Sequence, residues 1–366
     1  MSLNFRFAIA SDLHIGLPET IWEKKKRFHL IEISIPAFEL VLEHLTQLQL
    51  DFLLLPGDLT QHGEPENHKW LQQRLASLPF PVYVVPGNHD VPSLSPTSQA
   101  IGWQDFPSYY QQFGYTNQEQ LYYSHEILPG VQLIALNSNQ FSDSGEQLGC
   151  LDTSQLIWLE QVLESCLGKL VLVMIHHNVI EHLPNQAQHP LGKRYMLDNA
   201  SELLQLLQKY GVKLIFSGHL HVQDIAHTEG IYEVTTGSLV SYPHPYRILE
   251  WRSDNQGQSQ LQIQSHRLEK VPGWDNLTQI SREWLGEHSY PFMMQLLTTP
   301  PLNLPPEKSE ILAEKLRYFW ADIAAGDAWF NFPEFPEMAQ RYFQAFSAIT
   351  SDGNYAPIDN HATLKF

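Results

Sequence analysis

Phe7-Ala8-Ile9-Ala10 runs into Asp12-Leu13-His14, and this pattern, a short apolar run ending in side chains able to ligate a metal, recurs along the chain. Phe52-Leu53-Leu54-Leu55 leads to Gly57-Asp58, and Val82-Tyr83-Val84-Val85 to Gly87-Asn88-His89-Asp90. Leu170-Val171-Leu172-Val173-Met174-Ile175 leads to His176-His177, and Leu214-Ile215-Phe216 to Gly218-His219-Leu220-His221. Apolar runs this short, separated by stretches with helical spacing, read as strands buried on both faces of a sheet. Ligands bind beyond the carboxyl ends of such strands. The five polar clusters are therefore expected along one edge.

Carboxylates, a carboxamide and imidazoles form an oxygen and nitrogen donor set. Such donors suit hard to borderline divalent or trivalent metals, and the lack of thiols argues against a soft-metal or iron–sulfur centre. Seven good donors exceed what one ion uses while keeping room for water. Two ions that share a carboxylate and a hydroxide are suited to in-line attack on phosphorus.

Taken in order, Asp12-x-His14, Gly57-Asp58, Gly87-Asn88-His89-Asp90, His176 and Gly218-His219-x-His221 resemble the motifs of the calcineurin-like metallophosphoesterase superfamily. Within it the chain is most similar to the class III cyclic-nucleotide phosphodiesterase branch. The likeness spans roughly the first two-thirds of the chain, and five motifs in one order are far more specific than any single one. It implies an α/β fold, an α+β sandwich of two packed mixed β-sheets flanked by helices.

The resemblance also implies roles. Asp12, His14 and His221 would hold one metal, Asn88, His176 and His219 the other, and Asp58 would bridge them. A hydroxide shared by the two metals would attack the phosphorus. His89 would stabilise charge or protonate the leaving group, while Asp90, His177 and Arg194 would orient ligands or meet substrate. Nitrogen and oxygen donors accept manganese, iron, zinc or cobalt, so the metal is left open. The expected substrate is a small phosphodiester, cyclic nucleotides leading; a phosphomonoesterase and a silent scaffold are the alternatives. The chain departs from the family pattern at Gln61, where an acidic residue is common, and at Asn178-Val179, where prolines are. His62 and His68 are expected beside the site or at the surface, and Lys193 joins Arg194 as a phosphate contact.

The rest of the chain is read from spacing. Phe38, Val41, Leu42, Leu45 and Leu48 predict a helix over 36–48, and residues 91–123 read as an inserted loop. Helices are also expected around Leu156, Leu159, Leu163 and Cys166 and over 200–209, with further strands over 131–136, 232–235, 246–251 and 261–266. Residues 1–271 are expected to form the catalytic domain. Residues 272–366 are expected to be a mainly helical appendage that caps, packs or oligomerises, with Leu312, Leu316, Phe319 and Ile323 on one face and Met338, Tyr342, Phe346 and Ile349 on another.

A formal charge of −18 over 366 residues, without a basic stripe, disfavours nucleic acid as a partner. Lys24-Lys25-Lys26-Arg27 reads as a solvated helix face. Two cysteines do not make a disulfide framework, and neither a secretory leader nor a membrane span is expected, which points to the cytoplasm and to a homo-oligomer at most as macromolecular partner.

Overall fold

The structure is a computed structural model that describes residues 3–22, 27–254, 257–350 and 353–366. Of the basic run, only Arg27 falls among the described residues. The first half comprises β1 (Asn4–Ile9), α1 (Ser34–Thr46), β2 (Phe52–Pro56), α2 (Pro65–Ala76), β3 (Val82–Val85), the single turn α3 (Phe106–Tyr109), β4 (Tyr123–Leu128) and β5 (Val131–Ala135). A hairpin of β6 (Asn139–Phe141) and β7 (Gln147–Gly149) follows, then α4 (Thr153–Ser165), β8 (Leu170–Met174), the short α5 (Pro190–Lys193) and α6 (Ala200–Lys209). Next come β9 (Leu214–Ser217), β10 (Asp224–Thr228), β11 (Ile231–Thr235), β12 (Pro245–Ser253) and β13 (Ser259–Arg267). The chain continues through α7 (Leu277–Thr298), α8 (Pro306–Lys315), α9 (Phe319–Ala325) and α10 (Glu337–Gln344) to β14 (His361–Lys365).

Two six-stranded mixed sheets form the centre, in the orders β14-β13-β12-β1-β2-β3 and β10-β11-β9-β8-β5-β4. β1, β2 and β3 are mutually parallel, as are β5, β8, β9 and β11. The apolar runs become these parallel strands because both of their faces are covered. Phe7 of one sheet meets Phe216 of the other edge-on at 5.5 Å, and both are fully buried between the layers. Each such side chain contributes ~1.5–3 kcal/mol on burial. A second apolar layer lies outside the second sheet, where Leu159 and Leu163 of α4 and Leu203 and Leu207 of α6 cover Val173 and Ile215. Asp152 caps α4 by accepting the Gln155 N–H at 2.8 Å.

Residues 277–344 form a third layer. Met293, Leu297, Leu316, Phe319 and Phe343 make an apolar cluster whose remaining members include Leu220 and Val222 from the β9–β10 loop. The expected helical face Leu312, Leu316, Phe319 and Ile323 is buried, but the helix breaks after Lys315 into α8 and α9. In α10 the expected register is off: Met338 is 52% exposed, while Ala339 and Phe343 face the cluster. The segment ends in a strand, since β14 pairs antiparallel with β13 at the edge of the first sheet. Within residues 91–123, expected as loop, α3 and turns around Tyr110 and Phe113 pack into the core. No helix among the described residues is long and apolar enough to cross a membrane.

Candidate metal centre

β1, β2, β3, β8 and β9 end on one edge, and each hands its polar cluster to the space between the two sheets. Backbone bonds tie the loops together: Asp12 N–H donates to Gly57 O at 3.1 Å, and His14 N–H to Asp58 O at 2.9 Å. Among the described residues, Asp12, His14, Asp58, His219 and His221 all take positive φ, between 44° and 69°. Non-glycine residues held there cost of order 1–3 kcal/mol each and persist only where the surroundings over-determine them. Gly57 (φ +93°) leaves no alternative, because a Cβ would sit 2.4 Å from His176 Nδ1. Gly218 lets the chain pass Asp12, whose Oδ2 would be 2.4 Å from an added Cβ.

The structure gathers the expected donors into two adjoining clusters. In one, one atom each from Asp12, His14, Asp58 and His221 lies within 4.8 Å of the others. His221 Nε2 is 3.1 Å from Asp12 Oδ1 and 3.3 Å from His14 Nε2, and His14 Nε2 is 3.8 Å from Asp58 Oδ2. In the second, Asp58, His176 and His219 meet under the same limit. His176 Nε2 stands 3.4 Å from Asp58 Oδ1 and 3.2 Å from Asn88 Oδ1. Asp58 thus faces one cluster with each carboxylate oxygen.

In the second cluster the outer nitrogens are committed elsewhere. His176 Nδ1 donates to Pro56 O at 2.9 Å, and His219 Nε2 to Arg194 O at 3.4 Å. A carbonyl can only accept, so each ring turns its other nitrogen toward the cluster, the arrangement typical of metal-ligating histidines. His89 Nδ1 donates to Gln61 O at 2.6 Å and its backbone N–H to Asp58 Oδ1 at 2.9 Å, leaving Nε2 on the cleft side. Asp90 does not face the clusters. Its carboxylate accepts the N–H groups of Leu59, Thr60 and Gly87, clamping the β2 and β3 loops together.

The electrostatics fit a pair of cations. Burial, with His29 and His89 close by, holds His14 well below the usual imidazole range, and burial with His177 and His176 does the same to His219. Both therefore offer lone pairs. Burial would lower His176 too, but the Asp58 carboxylate carries it up to about 9, which shows how strongly the carboxylate favours positive charge at this point. Burial would raise Asp58, yet His176 and His89 hold it well below the carboxylate range. His14 turns Nε2 to the first cluster, and its outer Nδ1 is buried without a hydrogen-bond partner among the described residues. The donors present suit two borderline divalent or trivalent ions.

His177 lies beside the clusters, its ring 4.3 Å from that of His219 and its Nδ1 2.8 Å from Ser138 Oγ. Arg194 is exposed at the cleft mouth, its guanidinium stacked over Tyr195 at 4.7 Å; Lys193 is exposed and outside the cleft lining. His62 lines the cleft between Trp22 and His89, while His68 is buried against Tyr110, 2.8 Å from its hydroxyl. His29 was not anticipated. Its ring stacks on His14 at 4.3 Å, its Nε2 reaches Gln61 Oε1 at 3.0 Å, and it forms a further possible donor group with His14 and His221. No apolar strand leads into it, so residue type was the sole signal. Gln61 thus meets an imidazole at the edge of the site.

The clusters floor a cleft of about 570 Å³. Its walls include Phe292 and Leu296 of α7, Phe319 and Trp320 of α9, Tyr342 of α10 and Phe346. Trp284 of α7 donates Nε1–H to Arg27 O at 2.9 Å, gripping the segment that carries Phe28 and His29.

Against known proteins, the family model described as calcineurin-like phosphoesterase matches residues 5–223. A probable glycerophosphodiester phosphodiesterase from Arcobacter nitrofigilis is 28% identical over 58% of this chain and 70% of its own length. A 3',5'-cyclic-nucleotide phosphodiesterase from Nostoc sp. is 29% identical over 50% of this chain, and the match spans 62% of that relative. Among solved structures, a dimetal phosphatase from Danio rerio shares the fold with a TM-score of 0.51 at 14% identity, covering 72% of this chain and 96% of that one.

Proposed function

The chain belongs to the calcineurin-like phosphoesterase family of metal-dependent phosphoric ester hydrolases, and from that premise we propose that it hydrolyses small phosphodiesters, with cyclic nucleotides the leading candidates. The observation that carries the reading is Asp58, with one oxygen toward each of two donor clusters. Relatives named as cyclic-nucleotide and glycerophosphodiester phosphodiesterases favour a diester over a monoester.

Asp12, His14 and His221 would hold the first ion, Asn88, His176 and His219 the second, and Asp58 would serve both. Two such ions supply Lewis acidity and a nucleophile at neutral pH, as manganese, iron, zinc and cobalt can. The residues do the rest. Asp58 stays ionised between the clusters, and the carbonyls of Pro56 and Arg194 aim His176 and His219. His89, fixed by Gln61 O, keeps Nε2 over the cleft to hold a non-bridging oxygen or to pass a proton to the leaving oxygen. Arg194 at the mouth meets the anionic substrate, and Asp90 holds the two loops in register. The intact donor set weighs against a silent scaffold. Cys150 and Cys166, both free thiols, support a reducing compartment such as the cytoplasm.

The test is to strip the full chain of metal, resupply manganese, iron, zinc or cobalt, and compare a matched diester and monoester. Metal-dependent diester cleavage is the expected result. Preference for the monoester would overturn the diester assignment, and absence of turnover with two metals bound would overturn both.

A further inference from the structure

The C-terminal helices lie outside the matched residues 5–223, yet they build one wall of the cleft. That wall is aromatic. Phe292 and Trp320 meet edge-on at 5.6 Å, Tyr342 and Phe346 tilt together at 5.6 Å, and Phe319 closes the corner 5.3 Å from Phe346. Phe319 is buried, whereas Phe292, Trp320, Tyr342 and Phe346 are only half-buried and contribute to the cleft lining.

Two polar groups sit in this wall. Neither the Trp320 indole N–H nor the Tyr342 hydroxyl has a hydrogen-bond partner among the described residues. Both residues are half-buried at the cleft surface, so each group is free to bond a ligand there and gives the ring wall a polar handle. The same cleft is also lined by polar side chains, Asn88 of the second cluster together with His89, Gln147 and Arg194. One space therefore offers a floor that bound metals would make cationic for a phosphate and, continuous with it, ring faces and two hydrogen-bonding groups.

We infer that Phe292, Trp320, Tyr342 and Phe346 form a specificity subsite for a planar aromatic substituent of the phosphate ester. This rests on the phosphoesterase reading of the metal floor and deepens it. Ring faces stack on any flat π-system, while the indole and phenol groups favour one with polar edge atoms over a plain hydrocarbon. A glycerol-like group, with no ring to stack, leaves the wall unused. The segment appended to the family's catalytic region thus selects the substrate.

Non-hydrolysable phosphonates test this without requiring turnover. Methylphosphonate, hexylphosphonate and biphenylphosphonate are titrated by calorimetry into the full chain loaded with manganese. Biphenylphosphonate is expected to bind about tenfold or more tighter than methylphosphonate, a difference of ~1.4 kcal/mol or more. Trp320→Leu should cut that preference to about threefold or less, with manganese content and methylphosphonate affinity unchanged. Tyr342→Phe, which keeps the packing, serves where Trp320→Leu does not fold and should reduce the affinity of an aryl phosphonate with ring nitrogens more than that of biphenylphosphonate. Equal affinities in the unaltered chain, hexylphosphonate matching biphenylphosphonate, or a preference untouched by both variants would each overturn the subsite. If the preference holds while no diester is cleaved, the diester assignment falls and the subsite stands.

Discussion

The strand edge and the C-terminal helices face each other across one cleft, and they are written in different alphabets. At the edge the information lies in residue type: carboxylates, imidazoles and a carboxamide at strand ends, several of them held at positive φ. Across the cleft it lies in surface shape, in half-buried rings that carry no chemistry of their own. The first kind of region should be intolerant of single-atom changes and indifferent to bulk apolar repacking. The second should behave the opposite way.

The sharpest break is Asp58→Asn. It removes the charge shared by both clusters, so metal content measured by elemental analysis should fall and diester turnover should drop by on the order of 10³-fold or more. Near-normal turnover with full metal would end the bridging assignment. Phe343→Ala, fully buried in the C-terminal cluster beside Phe319, should destabilise that layer by ~3–5 kcal/mol. Urea unfolding should show that loss while the metal-loaded strand edge keeps its ions; loss of metal would mean the two regions are a single cooperative unit. His89→Ala should preserve metal content and lower turnover by about 10²–10³-fold, the range expected for a proton or charge contribution. A stripped ion instead would make His89 a ligand.

The smallest effect concerns the polar support behind the edge. Burial would lower His182, but Glu233 and Asp224, the latter 2.6 Å away, raise it to about 10. Its contribution to stability is therefore complete below its unfolded value near 6.5 and is lost as pH rises toward 10. The unaltered chain should lose several degrees of Tm between pH 6.5 and 10, and His182→Gln should flatten that part of the profile. An unchanged slope would assign the alkaline loss to other groups.

How much was legible follows from the same contrast. Five strands and the donors at their ends could be read because short apolar runs next to ligating side chains are a local signal, and the structure brings every expected donor to one edge. Weaker strands were not visible. β14, His361-Ala362-Thr363-Leu364-Lys365, buries only Leu364, and its pairing comes from β13 rather than from its own sequence. His29 reaches the site through a loop, with nothing periodic to announce it. In the C-terminal layer the aromatic residues were evident but their facing was not: Met338 looked as apolar as Phe343, and only packing against Phe319 and Phe335 decides between them. The break between α8 and α9 carries no glycine or proline to mark it. Arg247, fully buried and bonded to Asp359 O and Thr235 O, could not have been recognised as an interior residue from sequence.

The pairing of β14 with β13 also bears on how the protein is made. During synthesis the β13 edge exists roughly ninety residues before its partner emerges, a delay of about 5–20 s at ordinary ribosomal rates. Through that interval the nascent first sheet presents an unpaired row of backbone donors and acceptors, the kind of edge that recruits strands from neighbouring chains. Alternating glutamines on β13, Gln260, Gln262 and Gln264, do little to repel such a visitor. Ribosomes stalled within the C-terminal helices would leave nascent chains with the nine-residue β13 as an adhesive edge, and chaperone demand should be highest for those lengths and fall once residues 361–365 replace it with the shorter β14, whose Lys365 blunts the edge.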